Sequence, residues 1–178
     1  MKYVALLRGI GPGNPNMRND KLRSVFEDLG FTNVQSVISS GNVVFESKLT
    51  DTKSMETMLE AAWPEKLGFN STTLVRSAEQ LQKLVKANPF KDLQHGPQTY
   101  LLVTFFKNPT KVNFKLPHQP EGKSYRLLRV VDNTLFTTTD NTLTKTPDLM
   151  TWLEKQFGKQ ISSRTWLTVH RILKKMSE

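Results

Sequence analysis

The sequence predicts an α+β protein with antiparallel sheets in which one order of six elements occurs twice. Three observations carry this. Apolar residues alternate in some segments and recur at i, i+3, i+4, i+7 in others, so strands and helices interleave. The order strand, helix, strand, strand, helix, strand is read before residue 77 and again, less regularly, after residue 98. Finally, the 178 residues are 37% hydrophobic, which suffices for two units of about 90 residues with a core each. The expected boundaries are 1–76 for the first unit, 77–97 for a connecting helix and loop, and 98–178 for the second unit with a C-terminal helix.

In the first unit, residues 3–8 read as a strand, and the Gly- and Pro-rich stretch 9–16 as a loop. Leu22, Val25, Phe26 and Leu29 share one helical face, and Gly30 stands where a left-handed stop is wanted. Residues 33–39 and 42–46 are β-branched runs on either side of Ser40-Gly41, which predicts a tight hairpin. A second helix begins near Thr52 with Met55, Met58, Leu59 and Ala62 on one side, and Pro64 is expected to end or kink it. Residues 72–76 form the fourth strand. Right-handed crossovers then place the first strand beside the third in a four-stranded sheet. This is the ferredoxin-like, or split βαβ, plait.

Ser77 and Gln80 have capping-box spacing, opening a helix with Leu81, Leu84 and Val85 inward and Pro89 beyond its end. Residues 98–106 form a long strand. Pro109, Pro117 and Pro120 keep any helix between 108 and 122 short. The runs 124–131 and 135–139 flank Asp132-Asn133-Thr134, a hairpin signal. Thr146-Pro147 starts a helix bearing Leu149, Trp152, Leu153 and Phe157, stopped by Gly158. A short strand at 161–164 and a terminal helix at 165–175, burying Trp166, Val169 and Leu173, complete a second ferredoxin-like plait in tandem with the first.

No apolar run approaches the ~20 residues that span a bilayer, so no membrane contact is expected. Charge interrupts the first apolar run at Arg8, too early for a secretory signal, and Cys is absent. Both fit a cytoplasmic protein. Lys and Arg total 25 against 16 Asp and Glu, a formal charge of +9. The excess is uneven, net +2 over residues 1–106 and +7 over 107–178. A basic half suits an anionic partner, and equally a solvated surface.

Several blocks resemble a bacterial family, the domain of unknown function 1697 family. They are Tyr3-Val4-Ala5-Leu6-Leu7-Arg8-Gly9-Ile10, Leu29-Gly30-Phe31-Thr32-Asn33-Val34, Ser40-Gly41-Asn42-Val43-Val44-Phe45, and Ser163-Arg164-Thr165-Trp166-Leu167-Thr168-Val169 near the end. Two positions depart from the family pattern. Ile10-Gly11-Pro12-Gly13-Asn14 replaces its usual Ile-Asn-Val-Gly-Gly, and Thr165 stands where it has Asn. The resemblance implies tandem ferredoxin-like halves over the whole chain, and no reaction.

Arg8 ends the first strand where the third begins, so a notch of Arg8, Gly9, Asn14, Ser40, Gly41 and Asn42, with Arg164 and Trp166 from the closing segment, is a candidate site for an anionic small molecule. In that reading Trp166 braces the notch by stacking on a guanidinium. Read structurally, the glycines serve turns, Asn42 satisfies loop carbonyls, Arg8 pairs with Asp20 or Glu46, and Trp63, Trp152 and Trp166 anchor helices. The glycine spacing matches neither a P-loop nor a dinucleotide fingerprint. The alternative partner is nucleic acid, held by Tyr100, Lys107, Lys111, Lys115, Lys123, Arg126 and Arg129 with Phe105 and Phe106 nearby. A third reading is assembly through exposed sheet edges. His95, His118 and His170 have no metal-ligand spacing, so neither metal nor cofactor is expected, and no residue announces catalysis.

Overall fold

Two sheets of four antiparallel strands organise the chain. The structure, a computed structural model, describes residues 1–144 and 146–178. Five α-helices accompany the sheets among the described residues. The chain divides into two compact units, Met1–Leu81 with His170–Glu178, and Gln82–Val169.

The first unit runs β1 (Lys2–Leu7), α1 (Asn19–Asp28), β2 (Thr32–Ser36), β3 (Asn42–Glu46), α2 (Thr52–Ala62) and β4 (Thr73–Ser77), with spatial order β2-β3-β1-β4. The first strand therefore lies beside the third, as right-handed crossovers require. The apolar faces of α1 and α2, including Leu22, Phe26 and Leu59, pack with Tyr3, Ala5, Leu7, Val43 and Phe45. Helix α2 ends at Ala62, ahead of Pro64, as the proline implies. The chain widens into a π-helical turn, Trp63–Leu67, closed by Gly68 at φ 76°. There the buried Trp63 indole donates to Thr73 Oγ1 at 2.9 Å.

The expected two-residue hairpin between β2 and β3 is instead a five-residue loop, 37–41. Val37, opposite Asn42, still donates its N–H to the Asn42 carbonyl at 2.9 Å, but its C=O takes the Asn42 side-chain amide at 3.1 Å, and the ladder stops there. Asn19 Nδ2 then holds the Ile38 carbonyl at 3.0 Å.

The capping box forms as its spacing predicts: Ser77 N–H donates to Gln80 Oε1 at 2.8 Å, and Gln80 N–H to Ser77 Oγ at 3.2 Å. It opens α3 (Ala78–Lys86). The second unit continues with β5 (Tyr100–Phe106), β6 (Tyr125–Val131), β7 (Thr134–Thr139), α4 (Thr146–Phe157), β8 (Ile161–Thr165) and the start of α5 (Trp166–Met176), in the order β6-β7-β5-β8. Asp132 and Asn133 both have positive φ, 47° and 55°, the backbone a tight β6–β7 hairpin needs. No helix forms between β5 and β6. Val112, Phe114 and Leu116 of that irregular segment pack on the core that a crossover helix would otherwise cover. On α5, Ile172 and Met176 are buried and Leu173 is only half so, a one-residue rotation from the expected face.

Candidate anion-binding site

At the end of β1 the chain must turn away from the sheet. Arg8 N–H still reaches Thr72 O at 2.9 Å, while the hydroxyl of Ser71 donates to Arg8 O at 2.7 Å. The half-buried guanidinium has its pKa lowered by desolvation. Gly9, at φ 76°, takes the backbone into the loop. Of the acids considered as partners for Arg8, Asp20 is engaged by Arg18 and Glu46 by the side-chain amide of Asn33.

Asn14 caps a single 3-10 turn, Pro15–Met17, accepting from Asn16 N at 2.9 Å. Helix α1 follows immediately, with Arg18 at its N-cap making no side-chain cap bond and Asp20 in its first turn. Arg18 instead grips Asp20 through Nε and Nη2 at 3.2 and 3.1 Å. That hydrogen-bonded guanidinium holds the exposed Asp20 carboxyl below its usual range.

The 37–41 loop comes up against the same region. Gly41 O accepts from Leu7 N at 2.9 Å. A Cβ at Gly41 would stand 2.8 Å from Ile10 Cγ1 and 3.0 Å from Leu7 Cβ, and φ is +79°. Gly41 thus lets two loops close on each other. Asn42 is 1% exposed with its amide on Val37 O, the loop-satisfying role of the structural alternative. Ser40 is exposed. Ile38 is a β-branched residue at φ 51°, where such side chains are strained.

These segments leave a cavity of about 300 Å³, lined by Gly11, Pro12 and Asn14 of the loop, Met17, Arg18 and Asn19 at the start of α1, and Ser39. Of the expected notch residues it gathers only Asn14. Arg18, Asn19 and Ser39 were not expected. The uncapped entry to α1 was their one sequence signal, since Arg18 occupies a position where Ser, Thr, Asp or Asn is preferred. Arg164 and Trp166 belong to the second unit. Arg164 Nη1 donates to Ser162 Oγ at 3.0 Å and Ser163 O at 2.8 Å, and burial lowers its pKa to about 10. The Trp166 ring packs edge-on against Phe90 and Phe136.

The residues of the nucleic-acid alternative lie mostly apart. Phe105 and Phe106 are fully buried, and Tyr100 is half-buried with its ring 4.7 Å from that of His95. Lys123 pairs with Asp148 at 3.4 Å. Lys107 is half-buried, and Lys111 and Lys115 are exposed on the irregular segment. Arg126 and Arg129 share a separate cavity. Among the described residues no cluster of His, Asp and Glu is arranged to hold a metal, and no helix is long and apolar enough to cross a membrane.

The family model described as Protein of unknown function (DUF1697) matches residues 1–136. The chain belongs to that family. The DUF1697 match takes in the whole candidate cavity and stops before β8, so the closing 163–169 block lies outside it. No curated protein matches the chain. Among solved structures it is similar to the conserved bacterial protein SP0830 from Streptococcus pneumoniae, with a TM-score of 0.74 and 21% identity over 99% of this chain and 98% of that one. At that identity the likeness shows the fold alone.

Proposed function

We propose that this DUF1697 member binds an anionic small molecule in the cavity between the 9–14 loop, the entry to α1 and the 37–41 loop. The observation that carries the proposal is the uncapped amino end of α1, whose N-cap Arg18 and first residue Asn19 line that cavity. The Arg18 side chain makes no cap bond, and the helix end with its dipole favours an anion there beside the Asp20 carboxylate of the first turn. The strained φ of Ile38, next to the lining residue Ser39, is backbone of the kind concentrated at ligand sites. A ligand recruiting Arg18 displaces only an exposed, solvent-screened pair with Asp20. At about 300 Å³ the cavity is at the small end for ligands, so it suits a compact phosphate or carboxylate.

The proposal includes reading each unit as a ferredoxin-like plait in a cytoplasmic protein. Strand orders β2-β3-β1-β4 and β6-β7-β5-β8 support the plaits, although the second has an irregular segment in place of its first helix. Nucleic acid is the less supported partner, because the aromatics needed for base stacking are buried.

The test is a thermal-shift series with inorganic phosphate, small phosphomonoesters and dicarboxylates on wild type, Arg18→Gln and Arg8→Ala. A ligand at about 100 times its Kd stabilises by about 2.7 kcal/mol, roughly 5–10 °C at this chain length. The shift should shrink in Arg18→Gln. Millimolar anions that leave wild type unmoved, or a shift in Arg18→Gln as large as that of wild type, refute the proposal.

A further inference from the structure

The irregularity in β6 turns side chains toward a second cavity. Leu127 pairs with Thr137 and Arg129 with Phe136, so Leu128 is an extra residue in the ladder. In an unbroken strand, side chains three apart point to opposite faces. Here Tyr125, Leu127 and Val130 face the core, and the bulge turns Arg126, Leu128 and Arg129 together into one cavity of about 570 Å³. Bulges of this kind re-aim side chains next to functional sites.

The rest of that cavity comes from Pro117 and from the 89–93 segment. Two turns fix the segment, Lys91 N–H to Asn88 O at 3.1 Å and Leu93 N–H to Phe90 O at 3.0 Å. Phe90 is anchored edge-on by Phe136 and Trp166, with ring centroids 5.4 Å away in each case. Leu93 is 45% exposed. Apolar walls from Phe90, Leu93, Pro117 and Leu128 thus stand beside two guanidiniums that, among the described residues, have no ion-pair or hydrogen-bond partner. Lys91 and Asp92 also line the cavity and offset each other formally, so the two arginines set its charge.

We infer that this cavity binds a small amphipathic anion, its carboxylate or phosphate held by Arg126 and Arg129 and its apolar body seated on Leu128, Leu93 and Pro117. Two unpaired guanidinium forks match the planar oxygens of such a head group. The volume falls within the range of pockets that enclose a whole small ligand. An oligonucleotide fits less well, since the one aromatic in the cavity is buried and presents no exposed face for a base to stack upon.

The site is independent of the α1 cavity, and its test uses different residues. Isothermal titration compares phenyl phosphate, 3-phenylpropionate, inorganic phosphate, 3-phenylpropan-1-ol and a decathymidylate on the full chain. Phenyl phosphate or 3-phenylpropionate should bind saturably, at least about ten-fold more tightly than inorganic phosphate or the alcohol, and whichever wins identifies the head group. Arg126→Gln with Arg129→Gln should weaken that binding at least about ten-fold. The exposed single variant Arg126→Gln should weaken it less, and Lys155→Gln not at all. The inference is overturned by no saturation at millimolar ligand, by equal affinity for inorganic phosphate, or by binding that survives both arginine substitutions. Tighter, salt-dependent binding of the decathymidylate overturns it in favour of nucleic acid.

Discussion

Glu56 on α2 should carry far more of the stability of the first unit than one surface carboxylate would. It is 1% exposed, and its Oε2 accepts the Val75 N–H at 2.9 Å. Four residues along the helix, Glu60 Oε2 accepts the Thr73 N–H at 3.0 Å. Both amides belong to β4, the edge of its sheet, so the helix satisfies donors that a neighbouring strand would otherwise take. Arg76 lies 3.8 Å from Glu56 Oε2, and the exposed Lys53 3.4 Å from Oε1. Glu56→Ala deletes a charge-assisted bond worth about 1.5–3 kcal/mol and strands a buried N–H. Removing one partner of a buried ionic group costs about 3–5 kcal/mol. Because Lys53 is exposed and contributes little, the low end applies, about 3 kcal/mol. That corresponds to a fall in Tm of roughly 6–12 °C for a chain of this length. Glu56→Gln keeps an acceptor for Val75 and should cost about 1 kcal/mol. Urea unfolding followed by circular dichroism, with calorimetry for Tm, measures both. An alanine variant within 0.5 kcal/mol of wild type refutes the argument, as does a glutamine variant as damaging as alanine.

Gly41→Ala must place a Cβ 2.8 Å from Ile10 Cγ1 at a φ of +79°; it should destabilise by about 2 kcal/mol, and an unfolding midpoint equal to wild type contradicts the packing described for the two loops. Tyr125 has a buried hydroxyl with no protein partner, so Tyr125→Phe should stabilise by about 1 kcal/mol in the same urea titration. Burial, with the Asp148 charge second, pushes that phenol up to about 12. A raised acid pKa means the native state holds its proton longer, so this group leaves stability unchanged below about pH 10 and lowers it as the pH rises toward 12; ultraviolet difference titration should show one tyrosine ionising late. Carbon-detected NMR should place the Asp20 midpoint below the ordinary carboxylate value and raise it toward that value in Arg18→Gln. The depressed pKa makes the pair's contribution complete above the ordinary value and lost as pH falls through the lowered one.

The fold was legible wherever local chemistry and tertiary demand agreed. The apolar face of α1, the Ser77–Gln80 box and the Asp132-Asn133 turn each have one local solution, and each appears where the spacing puts it. The misses share a cause. The β2–β3 loop opened because Asn42 and Asn19 reach backbone carbonyls of Val37 and Ile38, partners that propensity cannot weigh. Pro64, by contrast, behaves as expected: the α-helix ends before it at Ala62, and the proline falls in the first positions of the π-helical turn that follows, where its missing N–H costs little. For the candidate site, sequence found the 9–14 loop and missed Arg18 and Ser39, since only folding sets one loop against the helix entry. Asn42 was assigned to a ligand although its amide serves the backbone. A polar side chain flanked by Gly and Val is compatible with either role until its burial is known.

The sheet edges bear on the choice among functions. An open edge invites another strand, yet three edges here are guarded by different means. On β2 the register shifts between Thr32 and Gln35, and Asn33 sits at φ 49°. On β4 the outward amides of Thr73 and Val75 are taken by Glu60 and Glu56. On β6 His118 makes a two-bond bridge to Leu127, N–H to O at 2.8 and 2.7 Å, and the bulge follows at once. Such edges weigh against assembly by strand addition and leave loops and strand faces as the surfaces for partners. The bulge then has two consequences from one residue. By interrupting the ladder it blunts the β6 edge, and by shifting the side-chain phase it places an apolar Leu128 between two guanidiniums on a single face.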